Sequence, residues 1–170
     1  MTQRVCVTGA MGKAGRAVVA ELREHGYHVA PVDIRAGRGT GTLEADLADY
    51  GQAIEALTEA KADAVVHLAN IPAPGLSTPA VTFNSNITMN YNVFAAAAQL
   101  KLDRVVWASS ETTLGLPFDV PPRYAPADEE HYPLPTSTYA LSKVASETIA
   151  GHFAPCHSWR DHVSPAAATP

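Results

Sequence analysis

The turn joining the first apolar run of this chain to its first amphipathic stretch limits the fold more than any other segment. Arg4 to Thr8 reads RVCVT, a β-branched run suited to a buried strand. It passes straight into GAMGKAG, where Gly9, Gly12 and Gly15 fall three residues apart. Lys13 to His25 then carries helical periodicity up to a stop at Gly26. Strand, glycine turn and helix, in that order, are what a pyrophosphate site requires. Glycine lets the backbone approach the phosphates, and the helix N-terminus offers unpaired N–H groups and a favourable dipole. The third glycine lets helix and strand pack closely. The spacing departs from G-x-G-x-x-G, because Met11 stands where the second glycine would be, and an ordinary βα turn leaves a similar trace.

A second strand is expected over Tyr27 to Val32, ending in Asp33. An acidic residue about 20 positions past the glycines can accept hydrogen bonds from an adenosine ribose. It also repels a 2′-phosphate, which favours NAD over NADP. Arg35 argues the other way, since a guanidinium pairs with such a phosphate. Pro31 removes a ladder hydrogen bond from this strand or marks a bulge.

Further strands are expected at Thr42–Leu47, Ala64–Ala69 and Arg104–Ser110, and helices at Gln52–Lys61 and Asn84–Gln99. IPAPGLSTPA reads as a proline-rich connection, and Gly115 to Thr138 as a long unpatterned loop. The alternation implies an α/β fold with a doubly wound, Rossmann-like parallel sheet. Ligands on such sheets bind at the carboxyl ends of the strands. Gly9, Asp33, Asp46, Ala69 and Ser110 all fall at or just past those ends.

After the loop comes YALSK, which places Tyr139 and Lys143 four residues apart on one helix face. A phenol has a pKa of about 10 and is a poor base near neutrality. An adjacent ammonium favours the phenolate, and a shift of ~3 units needs ~4 kcal/mol, which a nearby lysine together with the positive nicotinamide ring of a bound oxidised cofactor could supply. The spacing suits a tyrosine that takes a proton from an alcohol while hydride leaves the same carbon. Alone, Y-x-x-x-K equally fits an exposed helix face.

Together, TGAMGKAG, Asp33, ADL, HLAN, NITMNYNVFAAAA, VVWASSETTLG and YALSK resemble the extended short-chain dehydrogenase/reductase superfamily. The resemblance is greatest to its NAD-dependent epimerase/dehydratase branch, which acts on sugars and nucleotide sugars, and it runs from about Arg4 to His152. It implies that Gly9, Gly12, Lys13, Ala14 and Gly15 hold the pyrophosphate of NAD and that Asp33 binds the adenosine ribose. Asp46 and Leu47 would flank the adenine, and Leu68, Ala69 and Asn70 would border the nicotinamide half. Asn86 resembles the helix asparagine that supports the site. Ser110 aligns with the catalytic serine or threonine, Tyr139 with the proton-transfer tyrosine and Lys143 with the lysine on the nicotinamide ribose. The implied reaction is hydride transfer between a sugar or nucleotide-sugar hydroxyl carbon and nicotinamide. Lys143 would keep Tyr139 anionic. Glu111 and Thr112 would reach substrate or cap the strand end.

The resemblance implies about twice this length, with a further strand and a small carboxyl-terminal substrate lobe, and the fold is expected to be without that lobe. The expected domain is 1–153, followed by an irregular tail over 154–170. PCHSWRDHVSPAAATP has no apolar periodicity, as a frameshift, a truncation or a divergent tail would leave it. A sheet without its next strand exposes an apolar edge, so low solubility or self-association is expected. The resemblance implies homodimerisation through the helix near Asn92 and the Tyr139 helix. The alternative function is a dinucleotide-binding module without turnover.

Composition bounds the rest. A chain of 170 residues is one domain that buries roughly 70% of its unfolded surface. A net charge of −5 with few basic residues disfavours nucleic acid as a partner. No apolar run is long enough to span a bilayer, and MTQRVCV lacks a signal peptide's apolar stretch. The two cysteines, Cys6 and Cys156, make no disulfide framework, which fits a reduced cytoplasm. His152, Cys156, His157 and His162 match no zinc spacing, so no metal is expected. His67, on a buried strand, reads as a satisfied core histidine.

Overall fold

A computed structural model describes residues 3–154 except 38, 103, 116–120, 122, 123 and 129. The segment 155–170, with Cys156, His157 and His162, lies outside the described residues, as does part of the long loop. Five strands form one sheet: β1 Arg4–Thr8, β2 His28–Asp33, β3 Leu43–Glu44, β4 Ala64–His67 and β5 Arg104–Trp107. Four helices connect and cover them: α1 Lys13–Glu24, α2 Tyr50–Glu59, α3 Pro79–Gln99 and α4 Thr138–Phe153. Every strand pair is parallel, and the order is β3-β2-β1-β4-β5. The order reverses between β1 and β4, which opens a crevice at their carboxyl ends.

Alternation along the strands divides the core. Cys6, Val32, Val65, Val105 and Trp107 face α2, α3 and α4, where they pack on Leu57, Val93, Phe94 and Ala150. Val5, Val7 and Val66 face α1 and meet Val19. On that second face α1 is the only covering helix among the described residues, and Val106 of β5 is 41% exposed there.

The local sequence explains the ends of the elements. Gly26, at φ +80°, receives the closing turn of α1: its N–H reaches Arg23, and that of Tyr27 reaches Leu22. The same closure ends α2 at Lys61 and α3 at Lys101, two residues in the left-handed region without glycine's freedom. Two helices begin earlier than periodicity indicated. Asp49 caps α2 by accepting from Gln52 N–H at 2.9 Å. Thr78 caps α3, with Pro79 in its first turn, so the helix starts five residues earlier and takes in the last two residues of the proline-rich connection. β3 is shorter than expected, pairing only Leu43 and Glu44.

Pro31 makes no bulge, since Val7 pairs with it in unbroken register. The Val32 carbonyl accepts from Ala10 on the β1 side, and that of Asp33 accepts from Ala45 on the β3 side. Alternation therefore turns the Pro31 nitrogen toward β3, where pairing starts only at Val32. The missing donor falls on open edge.

Candidate active site

Gly9 turns the chain off β1 at φ +68°. A Cβ there would lie 2.7 Å from the Ala69 nitrogen, so only glycine lets the turn pass the end of β4. A Cβ on Gly15 would lie 2.1 Å from the Gly9 carbonyl oxygen. Gly12 occupies the N-cap of α1 and offers no capping side chain, which leaves the first-turn N–H groups facing the crevice. The cradle foreseen from GAMGKAG is therefore present, with Met11 accommodated where a second glycine was missing. The Met11 N–H donates to Asp33 Oδ2 at 2.8 Å, which fastens the turn to the end of β2.

The crevice has a volume of about 820 Å³. Its walls contain Gly9, Gly12, Lys13, Ala14, Gly15 and Asp33 on one side. Asp46, Leu47, Leu68, Ala69 and Asn70 also line it, joined by Met89 of α3, whereas Tyr139 and Lys143 of the expected cofactor set do not. Asp46 Oδ1 accepts from the Ala48 N–H, and Gln52 Oε1 from the Asp46 N–H, both at 2.9 Å. Asn70 Oδ1 is buried at this wall with no partner among the described residues. An orphaned acceptor beside a cradle that a single Cβ would fill is the state expected of a site shaped for a dinucleotide.

Ser110, Tyr139 and Lys143 assemble on one helix–strand seam. Three consecutive residues past β5 meet α4: the Ala108 carbonyl accepts from Lys143 Nζ at 2.6 Å, Ser109 Oγ donates to Glu147 Oε1, and Ser110 lies near enough to Tyr139 to favour its phenolate. Lys143 Nζ lies 5.7 Å from the Tyr139 ring centre and 5.4 Å from that of Trp107. These three groups are not part of the crevice wall. Two bridges join them to it. Asn86, fully buried on α3, brackets the backbone of Ile71 in the wall (2.8 and 3.2 Å) and reaches Ser142 Oγ beside Lys143 at 3.3 Å. Asn86 makes no hydrogen bond to Tyr139 or Lys143; its partners are the Ile71 backbone and Ser142.

The expectation that Lys143 holds Tyr139 anionic is corrected. The Tyr139 pKa is raised, first by burial and then by the charge of Glu111, against a lowering hydrogen bond from Ser110. Burial also pushes Lys143 down to about 8, opposed by Glu147. The ammonium donates to the Ala108 carbonyl and lies 5.7 Å from the Tyr139 ring centre, and burial is the larger influence on the phenol. Glu111 and Thr112 open a short 3-10 turn, Glu111–Leu114, capped by Ser110. Thr112 Oγ1 donates to Ser110 Oγ at 3.0 Å, and Ser110 Oγ donates to Glu111 Oε2 at 3.3 Å. Both residues thus lie in the turn itself, with Ser110 as its cap.

The second bridge was legible only in part. His67 is buried, as expected of a core histidine. Its Nδ1 meets Thr8 Oγ1 at 2.6 Å and its Nε2 meets Asn90 Oδ1 at 2.9 Å. Asn90 continues to Ser146 Oγ at 2.7 Å and accepts from Asn70 at 3.1 Å. One polar chain thus runs from β1 through β4 and α3 to α4. Thr8 and Asn90 were missed because a buried polar partner leaves no periodic signal.

Burial, reinforced by the Lys143 charge, lowers the His67 pKa from 6.5 to about 3. Below pH 6.5 the unfolded chain takes up a proton that the folded chain refuses. This contribution is therefore full above that pH and is lost as pH falls toward about 3, at about 1.4 kcal/mol per pH unit. Urea unfolding near neutrality and near pH ~5 tests it: His67→Gln is expected to lose about 2 kcal/mol less than wild type between the two. Equal losses would reject the buried neutral ring.

Among the described residues no group of three or more His, Cys, Asp or Glu is placed to hold a metal ion.

The sequence model of the NAD dependent epimerase/dehydratase family matches residues 5–159. L-arabinose 1-dehydrogenase (NAD(P)(+)) of Haloferax volcanii is 34% identical over 164 residues, covering 91% of this chain and 62% of that protein. UDP-glucose 4-epimerase 2 of Arabidopsis thaliana is 29% identical, covering 88% of this chain and 47% of that one. The Thermus thermophilus UDP-glucose 4-epimerase, solved in complex with NAD, superposes with a TM-score of 0.81 at 28% identity, covering 92% of this chain and 52% of that one. A short-chain dehydrogenase/reductase superfamily protein of Agrobacterium tumefaciens with bound NAD gives 0.78 at 29% identity, with coverages of 91% and 46%. This chain spans about half the length of most of these relatives.

Proposed function

Since the chain belongs to the NAD-dependent epimerase/dehydratase family, we propose that it binds NAD in the β1–β4 crevice and transfers hydride between nicotinamide and the hydroxyl carbon of a sugar or nucleotide sugar. The observation that carries this reading is the seam on which Ser110, Tyr139 and Lys143 meet the end of β5. Gly9, Gly12, Lys13, Ala14 and Gly15 would hold the pyrophosphate, Asp33 the ribose, Asp46 and Leu47 the adenine. Leu68, Ala69 and Asn70 would border the nicotinamide half, with Tyr139 and Lys143 completing the cofactor contacts. NAD, when bound, supplies the hydride acceptor and, oxidised, a positive charge.

The residues divide the work as follows. Tyr139 moves the hydroxyl proton. Its raised pKa keeps it protonated at rest, which equips it to give that proton to a carbonyl oxygen. In the oxidative direction an added positive charge must offset burial. Ser110 donates to the same substrate oxygen once its hydroxyl turns from Glu111. Asn86 holds the Ile71 backbone and α4 in register.

A second reading, dinucleotide binding without turnover, is supported by the absence of Ser110, Tyr139 and Lys143 from the crevice wall. Titration with NADH followed by a hydride-transfer assay over a sugar panel separates the two: turnover supports the first, binding without turnover the second, and no binding defeats both.

Asp33 sets the cofactor preference. NADH is expected to bind at least tenfold more tightly than NADPH. Asp33→Ser should weaken NADH by about 1–2 kcal/mol, the scale of one hydrogen bond to a charged group, and narrow the difference. Fluorescence titration measures both. An unchanged ratio would remove Asp33 from the ribose.

The proposed binding domain is 1–153. No helix among the described residues is long and apolar enough to cross a membrane, and the buried free thiol of Cys6 suits a reducing cytoplasm. Val81 and Tyr91 of α3 and Leu141 of α4 are exposed and support a homodimer through these helices. Asn92 itself turns inward, donating to the Leu47 and Ala48 carbonyls.

A further inference from the structure

Tyr139, Lys143 and Glu147 recur every fourth residue on α4, so the seam with β5 extends one turn beyond the expected pair. We propose that Glu147, clamped by Ser109, is the positioning residue of Lys143, setting its ammonium against the Ala108 carbonyl and keeping it charged while buried. The inference rests on the role given to Lys143 above.

Lys143 is 2% exposed, and a buried ammonium tends to shed its proton unless an anion faces it. The elements around it offer few. His67 on β4 is neutral, held between Thr8 and Asn90. Asn86 and Asn90 on α3 are uncharged and bonded to Ser142 and Ser146. Tyr139, on the same helix, stays protonated, and Glu111 on the 3-10 turn acts on Tyr139. Glu147 is the carboxylate whose charge supports the Lys143 ammonium. Its side chain is half-buried, and it takes the hydrogen bond of Ser109, which is 8% exposed. That bond fixes the carboxylate one turn from the ammonium instead of leaving it to solvent.

The chain has four lysines, so Lys143 can be followed by NMR of ¹³C-lysine protein and assigned from Lys143→Arg. Glu147→Gln keeps an oxygen for Ser109 and removes the charge. The Lys143 midpoint is expected to fall by roughly one pH unit. Ser109→Ala keeps the charge but frees the carboxylate, and a smaller fall is expected. NADH binding should weaken in both variants from a correspondingly lower pH than in wild type. A Glu147→Gln midpoint equal to that of wild type overturns the proposal. If Glu147→Gln does not fold, Ser109→Ala decides, and an unchanged midpoint there overturns it equally. The titration needs no cofactor, so a wild type that binds no NADH would defeat the functional reading while the NMR still judges the coupling.

Discussion

Gly15→Ala is expected to cost this protein about 3 kcal/mol or more of folding stability and to abolish saturable NADH binding. The added methyl would stand 2.1 Å from the Gly9 carbonyl oxygen and 2.8 Å from the Ala10 Cα. Both obstacles are backbone, so no rotamer relieves them. The only escape is to push α1 away from β1, which also moves the N–H groups of the cradle. Alanine's advantage over glycine in a helix, about 1 kcal/mol, is too small to compensate. Gly151, near the end of α4, supplies the control. A Cβ there meets nothing within 4 Å, so Gly151→Ala should stabilise the protein by about 0.5–1 kcal/mol. Urea unfolding of the two variants measures the contrast. Equal stabilities would show that close packing at the first turn does not hold the crevice open.

Tyr139→Phe is expected to lower hydride transfer by about 10²–10⁴-fold, the usual contribution of a positioned acid or base. NADH affinity should change little, because the ring and its contact with Lys143 remain. Stability should also change little, since the residue is only half-buried. The separation of binding from turnover is the diagnostic feature. A variant that binds and turns over like wild type would take the proton transfer away from Tyr139. A variant that fails to bind would instead show that the hydroxyl, and not the ring alone, is needed to hold the cofactor.

The sequence determined the frame, because strands and helices write their periods into it. The sites of β1, β2, β4 and β5, the helix after the glycines and the parallel order of the sheet follow from β-branched runs alternating with amphipathic stretches. The cradle was equally legible, since glycine favours φ +68° at Gly9 and alone permits the close backbone approaches there and at Gly15. Helix starts were less so. The caps at Asp49 and Thr78 are single residues set in polar or proline-rich surroundings, where no apolar repeat marks the boundary.

What only the tertiary structure decided is the electrostatic state of the site. A spacing of four residues puts Tyr139 and Lys143 on one face, but it does not say what else faces the ammonium. The fold buries the phenol and brings up the Glu111 carboxylate, and together these raise its pKa instead of lowering it, while the ammonium is taken up by the Ala108 carbonyl and the Trp107 ring. The chain from Thr8 through His67 and Asn90 to Ser146 likewise joins residues up to 138 positions apart. Periodicity is a local property that a linear sequence carries. Desolvation and long-range hydrogen bonds depend on which segments meet, and that exists only once the sheet and its helices have closed on one another.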